Sequence, residues 1–300
     1  MKLLAFIIAY PFIWTLSRLP LRLLYILSDF LFFIIYHIVG YRKTVVYGNL
    51  QLAFPEKSPK ELRALRKKSM RHFADFIVES IKAFSLSEKE AMKRYKFVNP
   101  EVLNDVAKRK KNIILTGCHQ NNWEWSVSMP LVSEIQIFGT YKEIKNKYFN
   151  DFMKKSRTKF GLKASKMQDT IPDMLKNLKN GISGAYILLS DQNPLFHKTY
   201  HWTPFFGVNV PVHTGAELLA KKFDMAIINY ATKKVKRGYY ETTFEVITET
   251  PKEFEDYKIT DAYIALTEKN IRQQPSNYLW THKRFKHKDG YQIWVERYKK

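Results

Sequence analysis

The first forty residues contain two apolar runs, at positions 3–16 and 19–39, and each run predicts a helix. The second run is about long enough to cross a bilayer, which takes roughly 20 apolar residues. However, it contains Arg22 and Asp29, which are costly in lipid, and with Arg18 these charges fall on one helical face. The pattern favours a helix that lies on a membrane or on its own domain. A single span and a buried helix pair of a soluble protein are the alternatives.

The N-terminal runs also bear on the organisation of the chain. No small-residue cleavage site follows the first run, and the second run comes directly after it, so a cleaved secretory signal is disfavoured. We therefore predict that residues 1–40 are a membrane anchor or interfacial helices. The remainder contains no internal repeat, low-complexity tract or Gly/Ser linker, so residues 41–300 are predicted to form one further domain.

The pattern over residues 58–84 predicts a long helix with apolar positions at helical spacing. Ser58 is a suitable cap, Pro59 fits the first turn, and Glu61 stands three positions after the cap. From about residue 111 the pattern changes to strands that alternate with helices, which predicts an α/β sheet. The predicted strands are residues 112–118, 180–194, 224–234 and 239–250, and the predicted helices are residues 145–160, 171–179, 212–223 and 261–272.

Composition narrows the class of protein. The chain has 300 residues, of which 15% are aromatic and 45% apolar, so it has the composition of a folded protein. Its 50 Lys and Arg residues exceed 28 Asp and Glu residues, and the net charge of +22 predicts a polyanionic partner: nucleic acid, an anionic membrane, or an acidic or phosphorylated molecule. The one cysteine, Cys118, can form neither an internal disulfide nor a cysteine-based zinc site.

The stretch LTGCHQNNWEWS at residues 115–126 holds the candidate chemistry. Cys118 ends an apolar strand, where a lone thiol is more often a packing residue than a nucleophile. His119 and Glu124 have the chemistry of a histidine base with an orienting carboxylate. Their spacing of five suits a loop that turns into a helix, but chance alone accounts for about one such pair in a chain of this composition.

Six segments in order resemble the bacterial lipid A biosynthesis late acyltransferases, within the lysophospholipid acyltransferase superfamily. That family has a histidine, four residues, and then Asp or Glu, as in HQNNWE at residues 119–124. The other segments, which follow the apolar N-terminus, are GYRKTVVYGNLQLAFPEKS (40–58), KSRTKFG (155–161), LLSDQNP (188–194), TPFFGVNVPVHTGAELLA (203–220) and YLWTHKRFK (278–286). The resemblance covers nearly the whole chain, although family members often carry Asp where this chain has Glu124.

This resemblance implies a central mixed sheet flanked by helices, as in glycerolipid acyltransferases, with residues 41–300 as the acyltransferase domain. It implies transfer of a fatty acyl group from an acyl carrier protein thioester to a hydroxyl of a lipid A precursor. His119 is expected to act as the general base, oriented by Glu124. Arg157 corresponds to the family's arginine and is a candidate for oxyanion stabilisation; a solvated helix face is its alternative. Asp191 is expected to hold that arginine or position the acceptor, or simply to form a turn.

The remaining candidates are substrate contacts. Asn122 and its neighbour Asn121 either donate hydrogen bonds to substrate or shape the loop, and a turn role is favoured. Gln192 follows Asp191 at the end of a predicted strand. His282 and Arg284 either meet an acceptor phosphate or belong to a plain basic surface. The aromatic residues that either line an acyl tunnel or pack in the core are Trp123, Trp125, Phe205 and Phe206.

The resemblance also directs the choice of partners. We expect no cofactor or metal ion, an acidic acyl carrier protein as donor, and a bacterial inner membrane location with the catalytic domain facing the cytoplasm. Anionic membrane lipid and a phosphorylated glycolipid acceptor would then explain the basic charge. A membrane-tethered nucleic-acid binder is disfavoured because the basic residues are spread along the chain without a specific motif. The closer alternative is an acyltransferase of the same superfamily that acts on another glycolipid, aminolipid or lysophospholipid, with acyl-CoA as a possible donor.

Overall fold

The computed structural model describes residues 2–298; Met1, Lys299 and Lys300, at the ends of the two predicted domains, lie outside the described residues. The helices are α1 (Lys2–Arg18), α2 (Leu21–Phe33), α3 (Lys43–Ala53), α4 (Pro59–Lys82), α5 (Glu88–Arg94), α6 (Glu101–Lys108), α7 (Lys147–Thr158), α8 (Thr170–Lys179), α9 (Gly215–Phe223), α10 (Lys258–Gln273) and α11 (Tyr291–Tyr298). The strands are β1 (Tyr95–Phe97), β2 (Ile113–Thr116), β3 (Gln136–Tyr141), β4 (Lys163–Lys166), β5 (Gly184–Ile187), β6 (His201–Phe205), β7 (Val208–Val212), β8 (Ala226–Lys236) and β9 (Tyr239–Thr248).

Seven of these strands form one sheet in the order β1-β9-β8-β2-β5-β3-β4. Its neighbours run parallel except for β8 and β9, which form an antiparallel hairpin. In the central strand β2, Ile113 and Leu115 join one apolar cluster and Ile114 joins another, so both faces are covered. The sheet is therefore mixed and flanked by helices, which confirms the predicted fold class.

Helix α4 begins where the local sequence predicts. The hydroxyl of Ser58 accepts a hydrogen bond from the backbone N–H of Glu61 (3.3 Å), and the Glu61 carboxylate accepts one from the backbone N–H of Ser58 (2.8 Å). Pro59 occupies the first helical position. At the other end, the Lys159 ammonium donates to the carbonyl of Ala83, so a cation satisfies a carbonyl at the helix terminus. The start of α4 is thus fixed by local hydrogen bonds, and its end by a side chain from a distant part of the chain.

The two apolar runs form helices as predicted. Helix α2 continues into a π-helical turn over Ile34–Ile38, and together they make a stretch, Leu21–Ile38, that is long and apolar enough to cross a membrane by length and composition. Both α1 and α2 pack against α4. The N-terminal region is therefore in contact with the helices that surround the sheet.

Sequence patterns gave no prediction for β1, β3, β4, β6 or β7. The helix predicted over residues 212–223 begins at Gly215, because Val208–Val212 form β7 and pair with β6. The strand predicted over residues 180–194 is limited to Gly184–Ile187. The residues after it form a loop at the edge of the sheet where β2 also ends.

Candidate active site

His119 lies in the loop that follows the central strand β2. Two residues further on, Asn121 has a φ of 58°, a left-handed conformation that Asn tolerates better than most residues. The Asn121 side chain donates to the carbonyl of Thr232 and accepts from Nδ2 of Asn277 (2.8 Å). The carbonyl of His119 itself accepts from the backbone N–H of Leu279 (3.0 Å). The loop is thus held on two sides and keeps His119 in one position.

Asp191 is the carboxylate that contacts His119. Strands β2 and β5 are adjacent and parallel, so the loops that follow them meet at one edge of the sheet. Nδ1 of His119 lies 2.7 Å from Oδ1 of Asp191, and the backbone N–H of His119 donates to Oδ2 of the same carboxylate (3.2 Å). The Asp191 side chain is 1% exposed and that of His119 is 21% exposed. An Nδ1–H that donates to a carboxylate leaves Nε2 as the nitrogen that can accept a proton.

The pair changes the proton affinity of both groups. Burial alone would lower the pKa of His119, but the charge and hydrogen bond of Asp191 outweigh burial, with a further contribution from Glu124, and the pKa of His119 is raised. Burial alone would raise the pKa of Asp191, but the charge and hydrogen bonds of His119 hold it below its ordinary value. Asp191 is therefore ionised at neutral pH, and His119 binds a proton more readily than free histidine.

The structure corrects the prediction that Glu124 orients His119. The Glu124 carboxylate accepts two hydrogen bonds from Arg157, one from Nη2 (2.7 Å) and one from Nε (3.2 Å). Glu124 lies at the start of the 3-10 helix Trp123–Leu131, and Arg157 reaches it from α7. Asp191 already occupies Nδ1 of the histidine, and it does not hold Arg157. Asp191 therefore contacts His119, the partner predicted for Glu124, and Glu124 contacts Arg157, the partner predicted for Asp191.

Aromatic rings line one side of the histidine. The ring of Trp123 meets His119 edge to face, with centroids 5.2 Å apart, and stacks on Phe76 of α4 with centroids 3.9 Å apart. Trp123, Phe76 and Phe73 line a pocket between α4 and residues 277–281. This pocket offers an apolar surface beside the candidate base. The other aromatic residues suggested for an acyl tunnel are buried in the core: Trp125, Phe205 and Phe206.

Asn122 has a structural position rather than the predicted contact with substrate. Its side chain is fully buried; Nδ2 donates to the carboxylate of Glu79 (2.7 Å), and Oδ1 accepts from the backbone N–H of Trp125 (3.2 Å). Glu79 also accepts from the hydroxyls of Tyr25 (2.7 Å) and Tyr240 (2.6 Å). Asn122 is inaccessible, and both its polar groups bind inside the protein. Its position therefore does not support the predicted contact with substrate. The turn role that was favoured for it fits this geometry.

His282 and Arg284, the predicted phosphate contacts, both have partners inside the protein. The Arg284 side chain is fully buried, donates to Oδ1 of Asn193 (3.0 Å) and lies over the ring of Phe205 (4.7 Å). Nε2 of His282 accepts from the backbone N–H of Asn193 (3.3 Å). Burial and the nearby charge of Arg284 lower the pKa of His282 to about 4, so it is neutral at physiological pH. Arg284 is therefore inaccessible to an acceptor phosphate, whereas contact of the half-buried His282 with substrate stays a prediction. Both side chains bind Asn193 in the loop that carries Asp191.

Two further candidates lie beside the pair. Gln192 follows Asp191 and is half-buried, so its contact with substrate stays a prediction. Burial, with the charge of Asp191, raises the pKa of the Cys118 thiol well above its ordinary value, which disfavours the reactive thiolate and agrees with a packing role. Within residues 2–298 we find no group of three or more His, Cys, Asp or Glu residues arranged to hold a metal ion.

Sequence reasoning missed Glu79 and Asn193, which position the site. Glu79 could have been found, because α4 carries polar residues at a spacing of three or four within its apolar face. An acid at such a position predicts a buried polar contact. The residues of this stripe are all buried: Ser69, His72, Asp75 and Glu79. Asn193 has no comparable signal in the sequence.

A half-buried histidine paired with a buried aspartate at the carboxyl ends of two parallel strands is typical of an enzyme that uses histidine as a base. Residues 2–287 match the model of the family described as bacterial lipid A biosynthesis acyltransferase. The chain therefore belongs to this family, as the sequence motifs indicated, and it is an O-acyltransferase. Its acceptor is a lipid.

Two named relatives agree with the family match. The chain is 24% identical over 276 residues to the lipid A biosynthesis lauroyltransferase of Escherichia coli (strain K12), an alignment that covers 91% of this chain and 89% of the relative. It is 22% identical over 256 residues to the lipid A biosynthesis palmitoleoyltransferase of the same organism, with 82% and 79% covered. The solved 1-acyl-sn-glycerophosphate acyltransferase of Thermotoga maritima superposes with a TM-score of 0.40 at 11% identity, over 86% of this chain and 97% of that one.

Proposed function

We propose that this enzyme transfers a fatty acyl group from the thioester of an acyl carrier protein to a hydroxyl of a lipid A precursor. Membership of the lipid A acyltransferase family supports the acceptor class, and the relatives named lauroyltransferase and palmitoleoyltransferase support a fatty acyl group. The observation that carries the proposed chemistry is the 2.7 Å contact between Nδ1 of His119 and Oδ1 of Asp191. It orients a histidine base at the edge of the sheet.

In this proposal His119 is the general base. Nε2 removes the proton of the acceptor hydroxyl as its oxygen attacks the thioester carbonyl, a contribution of about 10²–10⁴-fold to the rate. The charge of Asp191 stabilises the imidazolium that forms. The tetrahedral intermediate then loses its C–S bond and keeps the new C–O bond. The thiolate of the carrier leaves and takes the proton back from His119, so no covalent enzyme intermediate is required.

Arg157 is the candidate for stabilising the oxyanion of that intermediate. Glu124 binds Nε and one N–H of Nη2 of Arg157, so the N–H groups of Nη1 and the second N–H of Nη2 are left to donate toward substrate. The bidentate contact holds the planar guanidinium in one orientation. A fixed donor is more effective than a mobile one because it does not have to reorganise as charge develops. Glu124 thus acts through Arg157.

The charge of the chain fits the proposed surroundings. A net charge of +22 favours contact with an acidic carrier protein, an anionic membrane leaflet and a phosphorylated acceptor. We therefore propose that the enzyme works at the inner membrane with its catalytic domain in the cytoplasm. An acceptor without phosphate, such as another glycolipid or an aminolipid, is a second candidate, since Arg284 is buried and His282 is neutral.

The proposed function is tested by mass spectrometry of lipid A and total lipid. Cells with and without the gene are compared, and the deletion is complemented with wild type, His119→Ala or Cys118→Ser. We expect lipid A to lose one acyl chain in the deletion, with rescue by wild type and Cys118→Ser but not by His119→Ala. A change in another lipid with unchanged lipid A would replace the acceptor by the second candidate, and rescue by His119→Ala would remove the histidine from the mechanism.

The donor is tested separately with purified enzyme. Acyl transfer is measured with acyl carrier protein and with coenzyme A carrying the same acyl group, at equal concentrations. Faster transfer from the carrier protein, with a rate that falls as salt is added, is expected from attraction between a basic enzyme and an acidic donor. Equal or faster transfer from the coenzyme A thioester would contradict the proposed donor.

A further inference from the structure

Strands β2 and β5 separate just before the loops that hold the candidate pair. Hydrogen bonds between parallel strands are evenly spaced along the chain. The backbone N–H of Leu188, directly after β5, donates to the carbonyl of Leu115 in β2 (2.9 Å). Two residues further along each strand, the same pattern would join the N–H of Ser190 to the carbonyl of Gly117. A side chain from a helix lies at this point instead.

The hydroxyl of Tyr263, on helix α10, lies between the two strand ends. It accepts a hydrogen bond from the backbone N–H of Ser190 (3.2 Å) and donates one to the carbonyl of Gly117 (2.7 Å). All three residues are buried. We call Tyr263, Gly117 and Ser190, with these two hydrogen bonds, the tyrosine bridge. Because an oxygen atom lies between donor and acceptor, the strand ends are held further apart than a direct hydrogen bond would hold them.

Burial makes the hydroxyl of Tyr263 difficult to replace. Backbone N–H and carbonyl groups are costly to bury without a partner, and the bridge satisfies one of each. Burial, with the nearby charge of Asp191, raises the pKa of Tyr263 well above its ordinary value. The hydroxyl therefore keeps its proton at neutral pH and can donate it to the carbonyl of Gly117. Phenylalanine would fill the same space but satisfy neither backbone group.

The tyrosine bridge is held by parts of the fold outside the two strands. Near the start of α10, the carboxylate of Glu217, on α9, accepts from the backbone N–H of Thr260 (2.8 Å) and from its hydroxyl (2.7 Å). This contact fixes the helix that carries Tyr263. The ring of Tyr230, on β8, limits the movement of Gly117, because a Cβ atom at position 117 would lie 2.9 Å from that ring.

We infer that Tyr263 is a positioning residue whose hydroxyl holds the ends of β2 and β5 at the separation that lets His119 and Asp191 meet. His119 stands two residues after Gly117. Asp191 directly follows Ser190, so a change in the bridge reaches both members of the pair. A misplacement of about 1 Å can cost about 10²-fold in rate. The inference rests on the proposed role of His119 as the base.

Steady-state kinetics of Tyr263→Phe test the bridge, because this change removes only the hydroxyl. The matched control is Tyr186→Phe on β5: both tyrosines are 3% exposed, but the hydroxyl of Tyr186 accepts from Asn177 of α8 (3.2 Å). We expect kcat to fall about tenfold in Tyr263→Phe and to stay within about twofold in the control, with little change in KM. Equal effects of the two changes would overturn the inference.

The pH profile separates a positioning role from a loss of stability. The pKa of His119 is raised by Asp191 and, to a smaller extent, by Glu124. A looser pair should lower that pKa, so the acidic limb of kcat/KM should move to lower pH in Tyr263→Phe and stay in place in Tyr186→Phe. In an Asp191→Asn background Tyr263→Phe should cause no further shift. A shift of the same size without Asp191 would overturn the inference.

The assay temperature and a second measurement guard against a damaged fold. All rates are measured at a temperature at which circular dichroism shows every variant folded. The reaction of Cys118 with a thiol reagent is then followed in the full chain, since this half-buried residue is the only cysteine and directly follows Gly117. Labelling should be several-fold faster in Tyr263→Phe than in wild type and unchanged in Tyr186→Phe, because the loop opens more readily without the bridge.

Cysteine labelling also distinguishes failure of the inference from failure of the proposed function. Equal labelling rates in wild type, Tyr263→Phe and Tyr186→Phe would overturn the bridge, whatever reaction the enzyme catalyses. Faster labelling of Tyr263→Phe together with full activity of His119→Ala would support the bridge and contradict the proposed base.

Discussion

The candidate active site contains two carboxylates, Asp191 and Glu124, which differ in burial and in the residue that each one contacts. Asp191 is 1% exposed and binds both the ring and the backbone of His119. Glu124 is 18% exposed and binds the guanidinium of Arg157, which is 24% exposed. The first carboxylate faces a group that gains and loses a proton, whereas the second faces a group that is always charged. Asp191 therefore sets a proton affinity, and Glu124 sets an orientation.

This comparison shows that spacing in a sequence is a poor guide to the partner of a histidine. Glu124 is five residues from His119 and is bound elsewhere, whereas Asp191 is 72 residues away and is in contact. The difference arises because β2 and β5 are neighbours in the sheet. Substitutions at each pair test whether Asp191 controls the proton affinity of His119 and Glu124 the orientation of Arg157.

The largest effect is expected for His119→Ala. Removing the proposed base should lower kcat by about 10³–10⁴-fold, near the upper range for general-base catalysis. The melting temperature should also fall, because Asp191, which is 1% exposed, loses the partner of its buried charge. Steady-state kinetics with purified enzyme measure the effect, and a loss of less than tenfold would remove His119 from the base role.

Asp191→Asn should have the next largest effect, about 10²–10³-fold on kcat, because the histidine loses its fixed tautomer and the charge that stabilises the imidazolium. The substituted side chain has the same size, so circular dichroism should show an intact fold. Glu124→Gln is the matched control, the same change in the other carboxylate. A larger loss for the control than for Asp191→Asn would restore the original Glu124 assignment.

The Glu124–Arg157 pair should show a smaller and coupled effect. Glu124→Gln alone is expected to lower kcat on the order of tenfold, because Arg157 stays in place but loses its orientation. In an Arg157→Ala background the same change should have almost no further effect. Kinetics of the two single variants and the double variant measure this coupling, and independent effects would separate Glu124 from the arginine.

Glu79 lies outside both pairs, so replacing it is expected to change the rate least and to act mainly on stability. Glu79→Ala leaves the donors Asn122, Tyr25 and Tyr240 without their buried acceptor, which should lower the free energy of unfolding by about 1–3 kcal/mol. Glu88→Ala, at an exposed acid in the first turn of α5, should change it by less than about 0.5 kcal/mol. Denaturant unfolding measures both, and equal values would show that the buried network is not stabilising.

Local chemistry made parts of the fold predictable. The start of α4 follows from Ser58, Pro59 and Glu61, which act within one turn of helix. The alternation of apolar runs and helical patterns gave the fold class, because strands buried on both faces are continuously apolar. Strands β3 and β4 were missed because they are mostly half-buried and carry polar residues among the apolar ones.

The four residues of the His119–Asp191 and Glu124–Arg157 pairs were predictable from the sequence, but their pairings were not. His119 and Asp191 both follow apolar strands, which indicated that they lie at one edge of a sheet. Their contact depends on the order of the strands, which a single sequence does not contain. The burial of Arg284 was unpredictable for a similar reason: it stands in a basic stretch that suggests a surface, yet it packs on Phe205 from another part of the chain.

The most direct test of the central claim is the pH dependence of kcat/KM for wild type, Asp191→Asn and Glu124→Gln. His119 must be neutral to act as a base, so activity falls as pH drops through its pKa, which Asp191 raises in the wild type. Replacing Asp191 should move this acidic limb to lower pH, and replacing Glu124 should move it less. A larger shift in Glu124→Gln, or the same limb in all three enzymes, would contradict the assignment of Asp191 as the partner of the base.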